Sequence, residues 1–207
     1  MDLQNLIRAA FDRGRITVQV QLEQNKEEAI PIDVDPEAAR AYTHLLEKLR
    51  FWAEQAPERV LFAQRAAAGG WRTLTYSKAW EVSRRIGAYL LEKQLSAERP
   101  LVILSGNDLE HAQLHLGALY VGVPYAPISP AYSLLSTDFG KLRAIYERLT
   151  PGLVYANGAQ FRPAIEAVVR SDVLADFSEA TRSGNCEDAD AAHSRVGPDT
   201  IAKFLFT

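Results

Sequence analysis

Four consecutive apolar residues, Leu101-Val102-Ile103-Leu104, follow Pro100 and give way at once to Ser105-Gly106-Asn107. No other feature narrows the fold so far. A half-buried strand alternates apolar and polar residues. A short unbroken run between turn residues fits a strand covered on both faces, as in a parallel sheet between helices. A helix opens near Asp108, with an inner face of Leu109, Ala112, Leu116 and Leu119, and Gly122 closes it. The pattern repeats. Residues 137–149 form a helix through Leu142, Ile145, Tyr146 and Leu149, and Pro151-Gly152 stops it. Leu153-Val154-Tyr155-Ala156 is a second buried strand, a helix lies near Arg162–Val169, and Ile201–Phe206 is strand-like. Repeated strand–helix units predict an α/β fold with a mostly parallel sheet and flanking helices. Ligands of open α/β sheets bind at the carboxyl ends of the strands, and the last strand leads to Thr207.

Upstream, residues 1–35 read as an irregular arm in which Ile16, Val18 and Val20 mark one short strand. Asp35 caps a helix beginning at Pro36, whose stripe is Ala38, Ala41, Tyr42, Leu45, Leu46, Leu49, Trp52 and Ala53; Pro57 ends it. A hairpin joins Val60–Arg65 to Trp71–Leu74 through Gly69-Gly70. Thr75 caps the next helix, which buries Ala79, Val82, Ile86, Tyr89 and Leu90 and keeps Lys78, Arg84, Arg85 and Lys93 off that stripe.

Charge and cysteine content remove several function classes. The 207 residues carry 23 Lys and Arg against 26 Asp and Glu, a net charge of −3, with no basic tract to bind nucleic acid. No stretch approaches the roughly 18 apolar residues of a membrane-spanning helix, and the start shows no basic segment followed by an apolar run, so no secretory signal is expected. Cys186, the single cysteine, forms no internal disulfide, so a reduced, cytoplasmic setting is expected. Residues 171–199 hold seven carboxylates, Asp172 to Asp199, against Arg182 and Arg195. This acidic stretch is expected to be a solvated loop or connector and not a buried element.

Three groups of residues invite a chemical reading, and for each the plainer reading is favoured. Asp108, His111 and His115 fall on one side of a helix with metal-ligand spacing. The histidines flank the apolar stripe, however, and a carboxylate at a helix start is favoured without any metal, so no metal ligand is assigned. Ser105-Gly106-Asn107-Asp108 could present backbone N–H groups to an anion, but it lacks the glycine spacing of nucleotide loops. Gly106 is expected to permit a tight turn there, with Asn107 or Asp108 as cap. Pro124, Pro127 and Pro130 make 122–133 a rigid extended passage that prevents routine ladder bonding; it serves as scaffold or presents Tyr125, Tyr132 or Ser133 to a cleft. No catalytic residue is assigned.

Trp52-Ala53-Glu54-Gln55-Ala56-Pro57, Trp71–Tyr76, Leu104–Asp108 and Gly117–Ile128 together resemble the N-terminal part of the AMP-forming acyl-CoA synthetases, a superfamily shared with luciferases and peptide-synthetase adenylation domains. The passage from Ser105 to Tyr155, with Ser129-Pro130-Ala131-Tyr132-Ser133 and Asp138-Phe139-Gly140-Lys141-Leu142, is particularly similar to bacterial feruloyl-CoA synthases. The resemblance spans roughly residues 42–170 and returns at 199–207. It implies an incomplete N-terminal portion of the luciferase-like large domain. Residues 36–170 would be a partial α/β adenylation domain, and 200–207 a strand leading to the phosphate-binding loop. Thr207 would open that loop and contact the nucleotide. The parent reaction would join an aromatic acid such as ferulate to coenzyme A through an acyl adenylate, using ATP and Mg²⁺. The 207-residue chain alone is expected to be inactive, to bind none of these cofactors tightly, and to need a complementing C-terminal segment. The alternatives are a catalytically silent binding or scaffold domain, or part of a medium- or long-chain fatty-acid ligase.

Overall fold

Helix α1 (Pro36–Gln55) ends just before Pro57 and is followed by an antiparallel hairpin of β1 (Val60–Arg65) and β2 (Trp71–Thr75). This computed structural model describes residues 36–182, 185–197 and 199–206, with side chains from residue 45 onward. The arm at 1–35, its expected strand, the Asp35 cap and Thr207 lie outside the described residues. The hairpin turns at Gly69 and Gly70, whose φ values of 91° and 80° fall where glycine is favoured. Its register pairs Arg65 with Trp71 and slips between Val60 and Phe62.

Thr75 caps α2 (Tyr76–Glu92), its hydroxyl accepting from the Lys78 N–H at 3.3 Å. All five stripe residues expected of α2 are buried. In α1 the stripe is narrower than expected: Leu46 and Leu49 are buried, whereas Leu45 is 41% exposed.

Three parallel strands form the centre, in the order β4 (Tyr125–Pro127), β3 (Leu101–Leu104), β5 (Leu153–Ala156). Every residue of β3 is buried, as an unbroken apolar run requires. Leu101 and Ile103 enter one core with α2 and with α3 (Leu109–Val121), while Val102 and Leu104 enter a second core on the other face. That second core holds α5 (Gly140–Leu149) and Ala164 of α6 (Arg162–Val168). Gly122, at φ 70°, closes α3 in the left-handed conformation.

Four expectations are corrected. The proline-rich passage is not free of ladder bonding, because β4 pairs with β3 over Tyr125–Pro127, and Ala131–Leu134 then forms a short helix, α4. A proline at the end of the pairing is tolerated where one inside it would not be. Helix α5 begins at Gly140, three residues later than expected, because Ser136 and Asp138 side chains take the N–H groups of Phe139 and Gly140 in a local turn. The strand-like ending makes one parallel bridge, Tyr125 to Lys203.

The acidic stretch is the largest difference. It contains α7 (Phe177–Arg182) and α8 (Glu187–His193), whose Ala180 and Ala189 are fully buried and Ala192 nearly so. Alanines bury little area, so the sequence looks solvated; two of its carboxylates are placed against cations on α2 and at its C-terminal cap. Asp190 pairs with Arg84, and Glu179 with Lys93 at 3.0 Å. Tyr120 donates to Asp190 at 2.8 Å and stacks on His193 with centroids 4.2 Å apart.

Candidate functional site

The chain leaves β3 over one face of the sheet, through α3 to β4, and reaches β5 over the other face, through α5. The loops after β3 and β5 therefore part at the carboxyl edge, where open α/β sheets hold ligands. Here the parting is bridged. Asn157, directly after β5, donates from Nδ2 to Asp108 Oδ2 at 3.1 Å and from its backbone to the Leu104 carbonyl at 3.1 Å. The other Asp108 oxygen accepts the His111 N–H at 2.7 Å and so caps α3.

His111 is held by the same turn. Its Nδ1 lies 3.1 Å from the Gly106 carbonyl and 3.1 Å from Ser105 Oγ, while Ser105 Oγ itself donates to the Gly106 carbonyl at 3.0 Å. A carbonyl only accepts, so Nδ1 is the donor in this contact. Gly106 has no positive φ, and a Cβ there would meet open space, so the turn does not require a glycine as expected.

Beside this turn, between it and β1, lies a cleft of about 290 Å³. Phe62 and Gln64 of the hairpin face Asn107, Asp108, His111 and His115 across it. Two contacts fasten the hairpin to α3: Gln64 Oε1 accepts the Leu109 N–H at 3.3 Å, and Arg72 pairs with Glu110. His115 lies against Tyr125 of β4, rings 4.7 Å apart and 29° from parallel. Burial, then electrostatic coupling to His111 and Lys203, holds its imidazole down to about 4. His115 is therefore neutral near pH 7. Burial, then the carboxylates of Asp108 and Glu110, raises the Tyr155 phenol above its ordinary range.

Asp108 caps α3 and His111 and His115 lie on it, but each has a structural task, and among the described residues no group of three His, Cys, Asp or Glu is placed to hold a metal. Tyr125 is buried behind His115. Tyr132 packs into the second core under Lys141, and Ser133 is 5% exposed with no partner for its hydroxyl, so neither reaches the cleft. Phe62, Gln64, Arg72, Glu110 and Asn157 were not legible as site residues. Asn157 alone left a signal, as the first polar residue after a buried strand.

A family profile described as AMP-binding enzyme matches residues 49–207. A second, endoribonuclease YicC-like, N-terminal region, matches residues 1–86 and overlaps the first. No curated protein matches significantly. Among solved structures, a fatty acyl-adenylate ligase from L. pneumophila, in complex with acyl adenylate and pyrophosphate, is 17% identical with a TM-score of 0.57, covering 79% of this chain and 28% of its own. A Mycobacterium tuberculosis fatty acyl CoA synthetase is 19% identical with a TM-score of 0.58, covering 80% and 32%. VinN in complex with L-aspartate is 21% identical with a TM-score of 0.56, covering 78% and 42%. The chain thus spans less than half the length of each of these, and the likeness is one of fold. With the profile matched over residues 49–207, which include the whole parallel sheet, this chain belongs to the AMP-binding enzyme family.

Proposed function

We propose that this chain is the N-terminal part of an ATP-dependent acid–thiol ligase that activates a carboxylate as its acyl adenylate and passes the acyl group to coenzyme A. The observation that carries this reading is the family match over 49–207. Ferulate, or an aromatic acid like it, is the proposed substrate, on the similarity of 105–155 to feruloyl-CoA synthases. A medium- or long-chain fatty acid is the second reading, favoured by the names of two similar structures. A cytoplasmic location is proposed with it; no helix among the described residues is long and apolar enough to cross a membrane.

The cleft does not fit a triphosphate. No Lys or Arg is among the described residues lining it, and the carboxylate of Asp108 would face the phosphates. Phosphoryl-centre chemistry needs many donors and a cation around developing oxygen charge. Thr207 is the one residue proposed to contact the nucleotide, and Mg²⁺ and coenzyme A are proposed only for the complete enzyme. The role left to this chain is to build the parallel sheet that precedes Thr207 in the sequence.

Carboxylate-dependent exchange of labelled pyrophosphate into ATP tests the reading. A polypeptide joining this chain to the remaining length typical of its relatives should exchange with ferulate and then release AMP only when coenzyme A is added. The 207-residue chain alone should do neither. Exchange with a fatty acid but not ferulate would move the substrate class. No exchange with any acid would favour a silent binding or complementing domain.

A further inference from the structure

We infer that the cleft between β1 and the start of α3 binds a small organic cation, an ammonium group on a flat apolar body, independently of the nucleotide chemistry. Its polar floor is a set of acceptors. His111 donates through Nδ1 to the Gly106 carbonyl, so Nε2 is the ring nitrogen left to accept from a ligand. Asp108 spends one bond per oxygen, on His111 and Asn157, and a carboxylate can accept about four. His115, also lining the cleft, is kept neutral and so does not repel a cation. Arg72, whose charge also acts on Asp108, is paired with Glu110. The walls are Phe62, Ala63, Leu109 and Ala112. Phe62 is 42% exposed, which leaves its ring open to stack on a flat ligand and to meet a cation over its face. An anion of the same shape meets Asp108 and finds no compensating charge among the lining residues, so the site discriminates by sign.

Titration of the isotope-labelled 207-residue chain with benzylammonium near neutral pH tests this, with benzoate and benzyl alcohol as shape-matched controls. The expected result is saturable shifts of the amides at 62–64 and 107–112 with benzylammonium, none with benzoate, and affinity for benzyl alcohol weaker by about tenfold or more. D108N, which keeps a capping side chain, should lower benzylammonium affinity by about tenfold. Equal shifts from benzoate or benzyl alcohol, no shift from benzylammonium, or an unchanged D108N would overturn the inference. Should D108N fail to fold, the selectivity of the wild-type chain decides alone. Imidazole nitrogen shifts give an independent reading: a proton on His111 Nε2 in the free chain removes the acceptor and the proposal with it.

Discussion

His115 shows how one side chain ties stability to pH. In the fold its imidazole titrates at about 4, mainly through burial, against 6.5 when unperturbed. Because the folded value is the lower one, the unfolded chain takes up the proton first as pH falls. Stability is full above about 6.5, declines down to about 4, and levels off below, with a total loss on the order of 3 kcal/mol. Urea melts at intervals across that window should show the decline. His115→Phe, which keeps an aromatic ring against Tyr125, should flatten it; an unchanged slope would place the acid sensitivity elsewhere. The spacing of His111 and His115 was visible in the sequence. Their tasks were not, because Tyr125 meets His115 only once α3 lies along the sheet, and the Gly106 carbonyl meets His111 only in the folded turn after β3.

At the scale of elements, legibility followed the size of the buried side chains. Helix α2 announces itself through Val82, Ile86, Tyr89 and Leu90, whereas α7 and α8 bury alanines and their carboxylates pair across long sequence separations. Asp190 is the main polar anchor of α8, and the Arg84 guanidinium beside it holds its carboxyl below the usual range. Both partners are more than a third exposed, so solvent screens the pair and its charge term is small. The larger loss in Asp190→Ala comes from the buried Tyr120 hydroxyl, left without its acceptor, at about 1–2 kcal/mol. Thermal melts should show that loss in Asp190→Ala and a smaller one in Asp190→Asn, which still accepts from Tyr120. The crossing of α2 and α3 gives a second test. A Cβ at Gly117 would lie 2.5 Å from Ile86 Cβ, and one at Gly87 would lie 2.6 Å from Val121 Cγ1. Gly117→Ala should therefore destabilise by about 1–3 kcal/mol through overpacking, although alanine is the better helix former. A neutral or stabilising result would mean that the helices separate without cost.

Over the whole molecule, the unbroken run 101–104 locates the part that should open last. Strand β3 pairs on both sides, with β4 and with β5, and contributes to the cores on both faces, so its amides exchange only when both cores open. The hairpin is a two-stranded sheet with Val60, Phe62 and Trp71 exposed, held to α3 by Gln64 and by the Arg72–Glu110 pair. It should open locally at a free energy lower than β3 by on the order of 2 kcal/mol or more. Native-state hydrogen exchange measures both. Slow exchange at 101–104 with faster exchange at 60–65 and 71–75 is the expected ranking, and Glu110→Gln should speed the hairpin while leaving β3 unmoved. Equal protection in the two sheets would mean that hairpin and parallel sheet open as one unit. The cleft between them would then be a fixed groove, its width set by the same cooperative transition that protects β3.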